Sequence, residues 1–315
     1  MISSIFGRTK PINYIIVLTF LFLFYWFIHF VVSDMEYTSE ALVVRLTTLA
    51  MLLFSVFVVD FIIKRNKLTE ANSFAMLFYA ILIVAFPETL LDNDAILCSM
   101  FLLFASRRLI SIRSLKNIKL KIFDATLWVM ISSIFYDWAV LYLLLVFAAI
   151  YIYEPKNVRN WMVPFAAVFT VFMIGYGVLI LAGNTNFLTE HYQLQFNFDT
   201  SYFLNLANSL KLVLYILLIF ALSIYAFLKL GKAGLGKIVT MRLIALSFII
   251  GLVVKILTKS ADDYPIMITF FPAVIFVTNY VESIKKENIK ELVLIASIAV
   301  PILVRFVGLM VGYLK

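Results

Sequence analysis

Long apolar runs, each cut off by charges or by a cluster of Pro, Gly and Asn, follow one another from residue 12 to residue 313 and leave this chain one kind of fold. A hydrocarbon core about 30 Å thick is crossed by roughly 20 apolar residues in an α-helix, and within it every backbone N–H and C=O must be satisfied inside the segment. On that criterion the runs predict about eleven helices, at 12–33, 41–63, 71–86, 94–110, 122–136, 137–153, 161–182, 204–229, 238–258, 264–281 and 290–313. The expected fold is an all-α, polytopic transmembrane bundle: one membrane domain over residues 1–315, with 183–205 as its long loop. Composition agrees, since 64% of the residues are hydrophobic and 14% charged, against about half and a quarter in soluble domains. No large soluble domain fits beside the spans.

Loops that stay in the cytoplasm collect Lys and Arg. Here 64–67 (KRNK), 107–121, 154–160, 229–237 and 282–291 are basic or mixed, whereas of the five opposite loops 33–40, 87–94, the turn at Asp137 and 183–205 carry no Lys or Arg and 259–265 (KSADDYP) carries one Lys. That alternation predicts a cytoplasmic N-terminus and, with an odd number of spans, a periplasmic C-terminus. Arg8 and Lys10 precede an apolar run with no cleavage-like site, so it reads as a retained first helix. The stretch 121–153 lacks Gly and Pro, and as a single helix it is about 48 Å long. It therefore reads as two helices turning near Asp137.

The net charge of +8 is spread as punctuation between apolar runs, which points to topology and anionic headgroups and away from nucleic acid. One cysteine, Cys98, excludes a disulfide framework within the chain, and two histidines, His29 and His191, speak against a histidine-rich metal site. Two loops have patterns of their own. SIRSLKNIKLK (111–121) suits either an ordinary basic loop or a short amphipathic stretch on the inner leaflet. YQLQFNF (192–198) alternates with period two, as a strand or hairpin lying over the helices does.

The expected outer face is acidic, with Asp34, Glu36 and Glu40, then Glu88, Asp92 and Asp94, then Asp137, Glu190, Asp199, Asp262 and Asp263. Against these stand basic residues where topology disfavours them: Arg45, Lys211, Lys255, Lys259 and Arg305. Arg305 lies about 12 Å from the outer end of the last run, a depth that costs a few kcal/mol unless the charge is paired. Cations and carboxylates gathered at one leaflet suit an anionic lipid headgroup such as a polyprenyl phosphate, with Lys and Arg on the phosphate and a carboxylate as general base or metal ligand. The alternative is structural: Arg305 locks the bundle through a neighbouring carboxylate, Lys255 snorkels, and the acidic loops are solvated turns. Asp60 and Asp124 are expected to pair with Lys64, Arg65 and Lys121, and His29 to be a hydrogen-bonded core residue.

RTKPINY ahead of the first helix, FPETLLDNDAILCSMFLLFASRRLISI and SIFYDWAVLYLLLVFAAIYIYEPKNVRNWMVPFAAV together resemble a family of multi-pass inner-membrane proteins from Bacteroidota. A more distant resemblance is to the GT-C-class glycosyltransferases, which use polyprenyl-phosphate sugars at the outer face. It implies an acidic catalytic residue after the first helix, matched by Asp34 or Glu36. It also implies an acidic Pro-led turn before a helix with a basic end, matched by Pro87, Asp92, Asp94 and Ala95 with Arg107 and Arg108. On that resemblance Asp34 or Glu36 is the base, Glu88, Asp92, Asp94 and Asp137 position substrate, and Arg45, Lys255, Lys259 and Arg305 clamp phosphate. SDMEYTSE is much shorter than the first outer loop of those enzymes. A noncatalytic scaffold that docks a membrane-protein partner through 183–205 is therefore the rival, and a transporter, with no internal repeat to support it, comes third.

Overall fold

The computed structural model describes residues 2–32, 38–194, 206–230, 234–258 and 264–313. Among them the protein is helical, with no strand. The helices are α1 (Ile2–Phe6), α2 (Pro11–Val32), α3 (Ser39–Arg65), α4 (Phe74–Ala85), α5 (Asn93–Ser111), α6 (Ile118–Ser132), α7 (Leu143–Tyr153), α8 (Val158–Leu181), α9 (Phe187–His191), α10 (Leu206–Lys229), α11 (Leu235–Leu257), α12 (Phe270–Ser283) and α13 (Glu287–Tyr313). Every apolar run in the sequence carries a helix. The two additions, α1 and α9, are five residues each, too short to register as a run. Among the described residues seven segments are long and apolar enough to cross a membrane: Pro11–Phe30, Ser39–Arg65, Asn93–Ser114, Val158–Leu181, Ser209–Lys229, Gly236–Leu257 and Pro265–Ser283. Phe74–Ala85 and Asp137–Tyr153 are shorter apolar helices. The chain is a multi-pass membrane protein.

Tight 3-10 turns extend the shorter helices. Pro87–Leu90 follows α4, Asp137–Tyr142 leads into α7, and Pro265–Thr269 leads into α12. Each begins after an aromatic residue with non-helical backbone: Phe86 (φ −125°, ψ 64°), Tyr136 (−131°, 115°) and Tyr264 (−120°, 56°). Phe86 and Tyr264 precede proline, whose ring bars the residue before it from the α region. A 3-10 residue rises about 2.0 Å against about 1.5 Å in an α-helix. Asp137–Tyr153 thus reaches about 28 Å and Pro265–Ser283 about 31 Å, close to the hydrocarbon thickness.

Two compact units emerge from the packing: Met1–Asn93, Leu218–Leu228 and Ala273–Lys315 form unit 1, and Asp94–Leu217 with Lys229–Pro272 form unit 2. In unit 1, α2 and α3 form an antiparallel hairpin against α4, with Leu21, Tyr25, Ile28, Leu52, Ile62 and Tyr79 fully buried. At the α1 end of this unit, polar side chains tie down the connections. Glu291 accepts from the Ile2 and Ser3 N–H groups at 2.6 and 2.9 Å, and Glu282 from the Glu70 N–H at 3.0 Å and Asn72 Nδ2 at 2.5 Å. Asn13 Nδ2 donates to the Arg8 carbonyl at 2.8 Å and to Ser73 Oγ at 3.0 Å. Asp60 pairs with Lys64 at 2.8 Å, as the sequence suggests, and Tyr14 joins them by donating to Asp60.

In unit 2, α6 packs along α8, and Ala95, Cys98, Ala105, Ala125, Val146 and Ala149 lie at the centre of the core. Asp124 pairs with Arg108 of α5 at 2.8 Å and not with its chain neighbour Lys121, whose Nζ donates to the Ser111 carbonyl and Ser114 Oγ, both at 2.6 Å. Those bonds close a tight hairpin, a 3-10 turn at Ile112–Ser114 followed by left-handed Leu115 (φ 53°) and Asn117 (φ 50°). The basic loop is therefore folded on itself, and no amphipathic stretch forms ahead of α6. With Arg108 and Asp124 side chains 40% and 31% exposed, solvent screens the pair, and Arg108→Ala is expected to lower stability by less than about 1 kcal/mol. A thermal-unfolding comparison in detergent checks this; a much larger loss means that the pair holds α5 to α6.

Gly251 of α11 is a tight point of unit 2. A Cβ there meets Thr269 Cγ2 at 2.9 Å, the Tyr142 hydroxyl at 3.1 Å and Ile268 Cγ2 at 3.3 Å. The 3-10 turns at Asp137–Tyr142 and Pro265–Thr269 therefore both pack against this glycine.

Candidate functional site

Among the sequence candidates of unit 1, the structure describes Arg45, Glu88 and Asp92. Arg45 sits six residues into α3 and is only 5% exposed, which puts its charge inside the helical packing and not at a wetted surface. Tyr25 of α2 donates to the Arg45 carbonyl at 3.1 Å and lies 3.1 Å from Thr48 Oγ1. Thr48 in turn donates to the same carbonyl at 3.0 Å. His29 Nδ1 is 3.0 Å from the Tyr25 carbonyl, and its ring centroid lies 4.2 Å from that of Tyr25. The contact makes Nδ1 the protonated nitrogen and leaves Nε2 as an acceptor. His29 is the hydrogen-bonded core histidine that the sequence suggests.

By helix rise the acidic turn falls at about the level of Arg45. Ser55 of α3 donates to the Tyr79 hydroxyl of α4 at 3.1 Å, which fixes the register of these antiparallel helices. From Ser55 back to Arg45 is about 15 Å, and from Tyr79 on to Glu88 is also about 15 Å once the 3-10 rise is included. This turn is not a solvated loop: Phe86, Pro87, Thr89 and Leu90 are buried, and Thr89 Oγ1 donates to the Phe86 carbonyl at 2.7 Å. Glu88 and Asp92 are half-buried.

In unit 2 the candidates are Asp94, Asp137 and Lys255. Asp94, in the first turn of α5, is exposed. Asp137 Oδ1 accepts from the Trp138 N–H at 2.7 Å and so caps its own 3-10 turn. Lys255, 8% exposed in the last turn of α11, holds its Nζ 5.5 Å from the Tyr264 ring centroid, a cation–π contact that suits a desolvated ammonium. Asp34, Glu36, Asp199, Lys259, Asp262 and Asp263 lie outside the described residues, as does the side chain of Arg305, whose backbone continues α13. The period-two pattern at 192–198 also falls largely outside them. Its described approach runs through α9, where His191 Nε2 is 2.8 Å from the Ser133 carbonyl and the Tyr192 hydroxyl 2.9 Å from Ser133 Oγ. Among the described residues no three His, Cys, Asp or Glu side chains gather as a metal site.

No family model, curated protein or solved structure matches the chain. The site is therefore read from its own chemistry. Sequence reasoning named Arg45 but missed Tyr25 and Thr48. The available signal was spacing, since Tyr25 and His29 are four apart and Arg45 and Thr48 three apart, one helix face each. A buried guanidinium offers five donors in a fixed fork, a match for phosphate oxygens. Carboxylates at the same level supply groups able to take a proton or to hold a cation.

Proposed function

We propose that the chain is a bacterial inner-membrane protein that holds a lipid-linked anionic substrate, a polyprenyl phosphate or its sugar-bearing form, at the Arg45 end of unit 1. Arg45 carries this reading. A guanidinium 5% exposed within a span of mean hydropathy 2.4 costs a few kcal/mol unless it is paired, and such residues inside membranes mark ligand paths. Glu88 and Asp92, in the same unit, lend the acid–base capacity that glycosyl transfer needs. In that reaction a carboxylate, Asp34 or Glu36 on the 33–37 connection into α3, takes the proton of an acceptor hydroxyl. The hydroxyl oxygen bonds to the anomeric carbon while the bond to phosphate breaks, and polyprenyl phosphate leaves with its charge held by Arg45. Envelope glycan synthesis is the setting this chemistry fits. The rival, a noncatalytic bundle in an envelope complex, draws on Asp137 and Lys255, whose contacts to Trp138 and Tyr264 are local and structural.

Native mass spectrometry of the protein extracted in mild detergent tests the reading. A polyprenyl-phosphate mass is expected on the wild type, its affinity falling roughly tenfold to a hundredfold in Arg45→Gln and less in Arg45→Lys, with unfolding temperatures checked in parallel. A wild type carrying protein partners and no prenyl phosphate favours the scaffold, and a folded Arg45→Gln protein that keeps the lipid overturns the role given to Arg45.

A further inference from the structure

The opposite, α1 end of unit 1 holds a second feature that the Arg45 reading does not use. A groove of about 210 Å³ opens there between four helices, lined by Phe6 of α1, Val17 and Phe20 of α2, Leu77 and Val84 of α4 and Ile302 of α13. Every side chain lining it is apolar. Pro301, also in its wall, lies inside α13, where its ring removes one helical hydrogen bond and pushes neighbouring turns apart. Between Leu77 and Val84 the groove runs about 10 Å along α4, the form of a slot for a chain of methylenes.

The connections that flank the helices of the slot are basic. Arg8 and Lys10, both exposed, join α1 to α2; Lys285 and Lys286, also exposed, join α12 to α13. Lys290 holds its Nζ 5.0 Å from the Phe74 ring centroid, one turn from Leu77 in the wall. The carboxylates nearest the mouth accept from backbone and amide N–H groups: Glu291 from the N–H groups of Ile2 and Ser3, Glu282 from the Glu70 N–H and Asn72. Glu70 and Glu287 are the exposed carboxylates on this side. A slot with wholly apolar walls between helices whose connections carry exposed Lys and Arg matches one molecule, a lipid with a hydrocarbon tail and a negative headgroup, for which each basic residue near the surface contributes about 1 kcal/mol. We infer that this groove binds an acyl chain of an anionic phospholipid, whose phosphate is held by Lys10, Lys290 and Arg8. Bound there, the lipid bridges α1, α2, α4 and α13, and α1 lies across the acyl chain at its headgroup end.

Vesicles of equal phosphatidylglycerol and phosphatidylcholine provide the test, with the protein reconstituted, extracted in neutral detergent and weighed by native mass spectrometry. The wild type is expected to retain phosphatidylglycerol over phosphatidylcholine. A Lys10→Gln, Lys290→Gln double variant should lose about tenfold or more of that preference. Filling the slot from its exposed edge with Ile302→Trp should remove retained lipid of both kinds, and Ile16→Trp, also at an exposed lining residue, serves if the first variant fails to fold. Equal retention of the two lipids by the wild type, an unchanged preference in the double variant, or undiminished lipid in a folded tryptophan variant each overturns the inference. Arg45→Gln leaves this retention unaltered, and a phospholipid differs from a polyprenyl phosphate in mass, so the two proposals fail separately.

Discussion

Asp60→Ala is expected to lower stability by about 3 kcal/mol or more, a loss visible as a clear drop in the unfolding temperature of detergent-solubilised protein. One Asp60 oxygen accepts from Lys64 at 2.8 Å and from the Tyr14 hydroxyl, and Lys64 also donates to that hydroxyl at 3.2 Å. The Asp60 side chain is 5% exposed and that of Lys64 27%. Removing the carboxylate strands an ammonium and a phenol at the edge of the hydrocarbon. Lys64 lies in the last turn of α3 and reaches water by snorkelling, which holds the expected loss near the lower end of the range for a broken buried pair. Asp60→Leu combined with Lys64→Met should recover most of it, because an apolar pair of similar volume needs no desolvation. An Asp60→Ala protein that melts with the wild type would show that the clamp contributes nothing.

Gly251→Leu is the second large effect, and glycine-to-alanine changes show why. In an exposed helix interior such a change stabilises by about 1 kcal/mol through propensity alone. At Gly251 the new Cβ stands 2.9 Å from Thr269 Cγ2, and its surroundings cannot yield. Thr269 Oγ1 donates to the Ile266 carbonyl at 2.6 Å and lies 2.8 Å from the Tyr215 hydroxyl, while Tyr142 donates to the Ser247 carbonyl at 2.9 Å. Overpacking of about 1–3 kcal/mol therefore cancels or exceeds the propensity gain for alanine, and leucine should cost about 3 kcal/mol. Gly175 and Gly177 of α8 are the controls: nothing lies within 4 Å of a Cβ at either, so alanine there should be neutral or stabilising. Melting curves of the four variants decide the matter, and a Gly251→Leu protein as stable as Gly175→Ala would remove the glycine from its structural role.

The helices were legible because hydrocarbon length is a one-dimensional constraint, written directly as apolar runs and charged interruptions. Partners were legible only where chain spacing coincides with packing. Asp60 and Lys64 are four apart on one helix and pair as expected, whereas Asp124 passes over Lys121 for Arg108 on another helix. The Glu282 and Glu291 contacts join residues more than two hundred apart, and no local pattern announces them. The 3-10 turns were half visible. Pro87 and Pro265 break the helix for reasons any sequence shows, but the turn at Asp137 has no proline and follows from the packing of Tyr142 on α11. Of the candidate site, Arg45 and Lys255 stand out in the sequence as cations where topology disfavours them, but their burial does not, and the depth of the acidic turn depends on the register of α4 against α3, set by Ser55 and Tyr79.

The α2–α3 hairpin carries polar groups at two heights, Arg45 with Tyr25 near one end and Asp60 with Tyr14 near the other. Fifteen residues of α3 separate them, about 22 Å of helix. For a hairpin standing across a hydrocarbon layer of about 30 Å, each charge lies roughly 4 Å beneath its interface. A thicker bilayer sinks both charges at once, at fractions of a kcal/mol for every Å of mismatch. On that geometry the spacing of the two charges sets a thickness above which the hairpin is expected to lose stability.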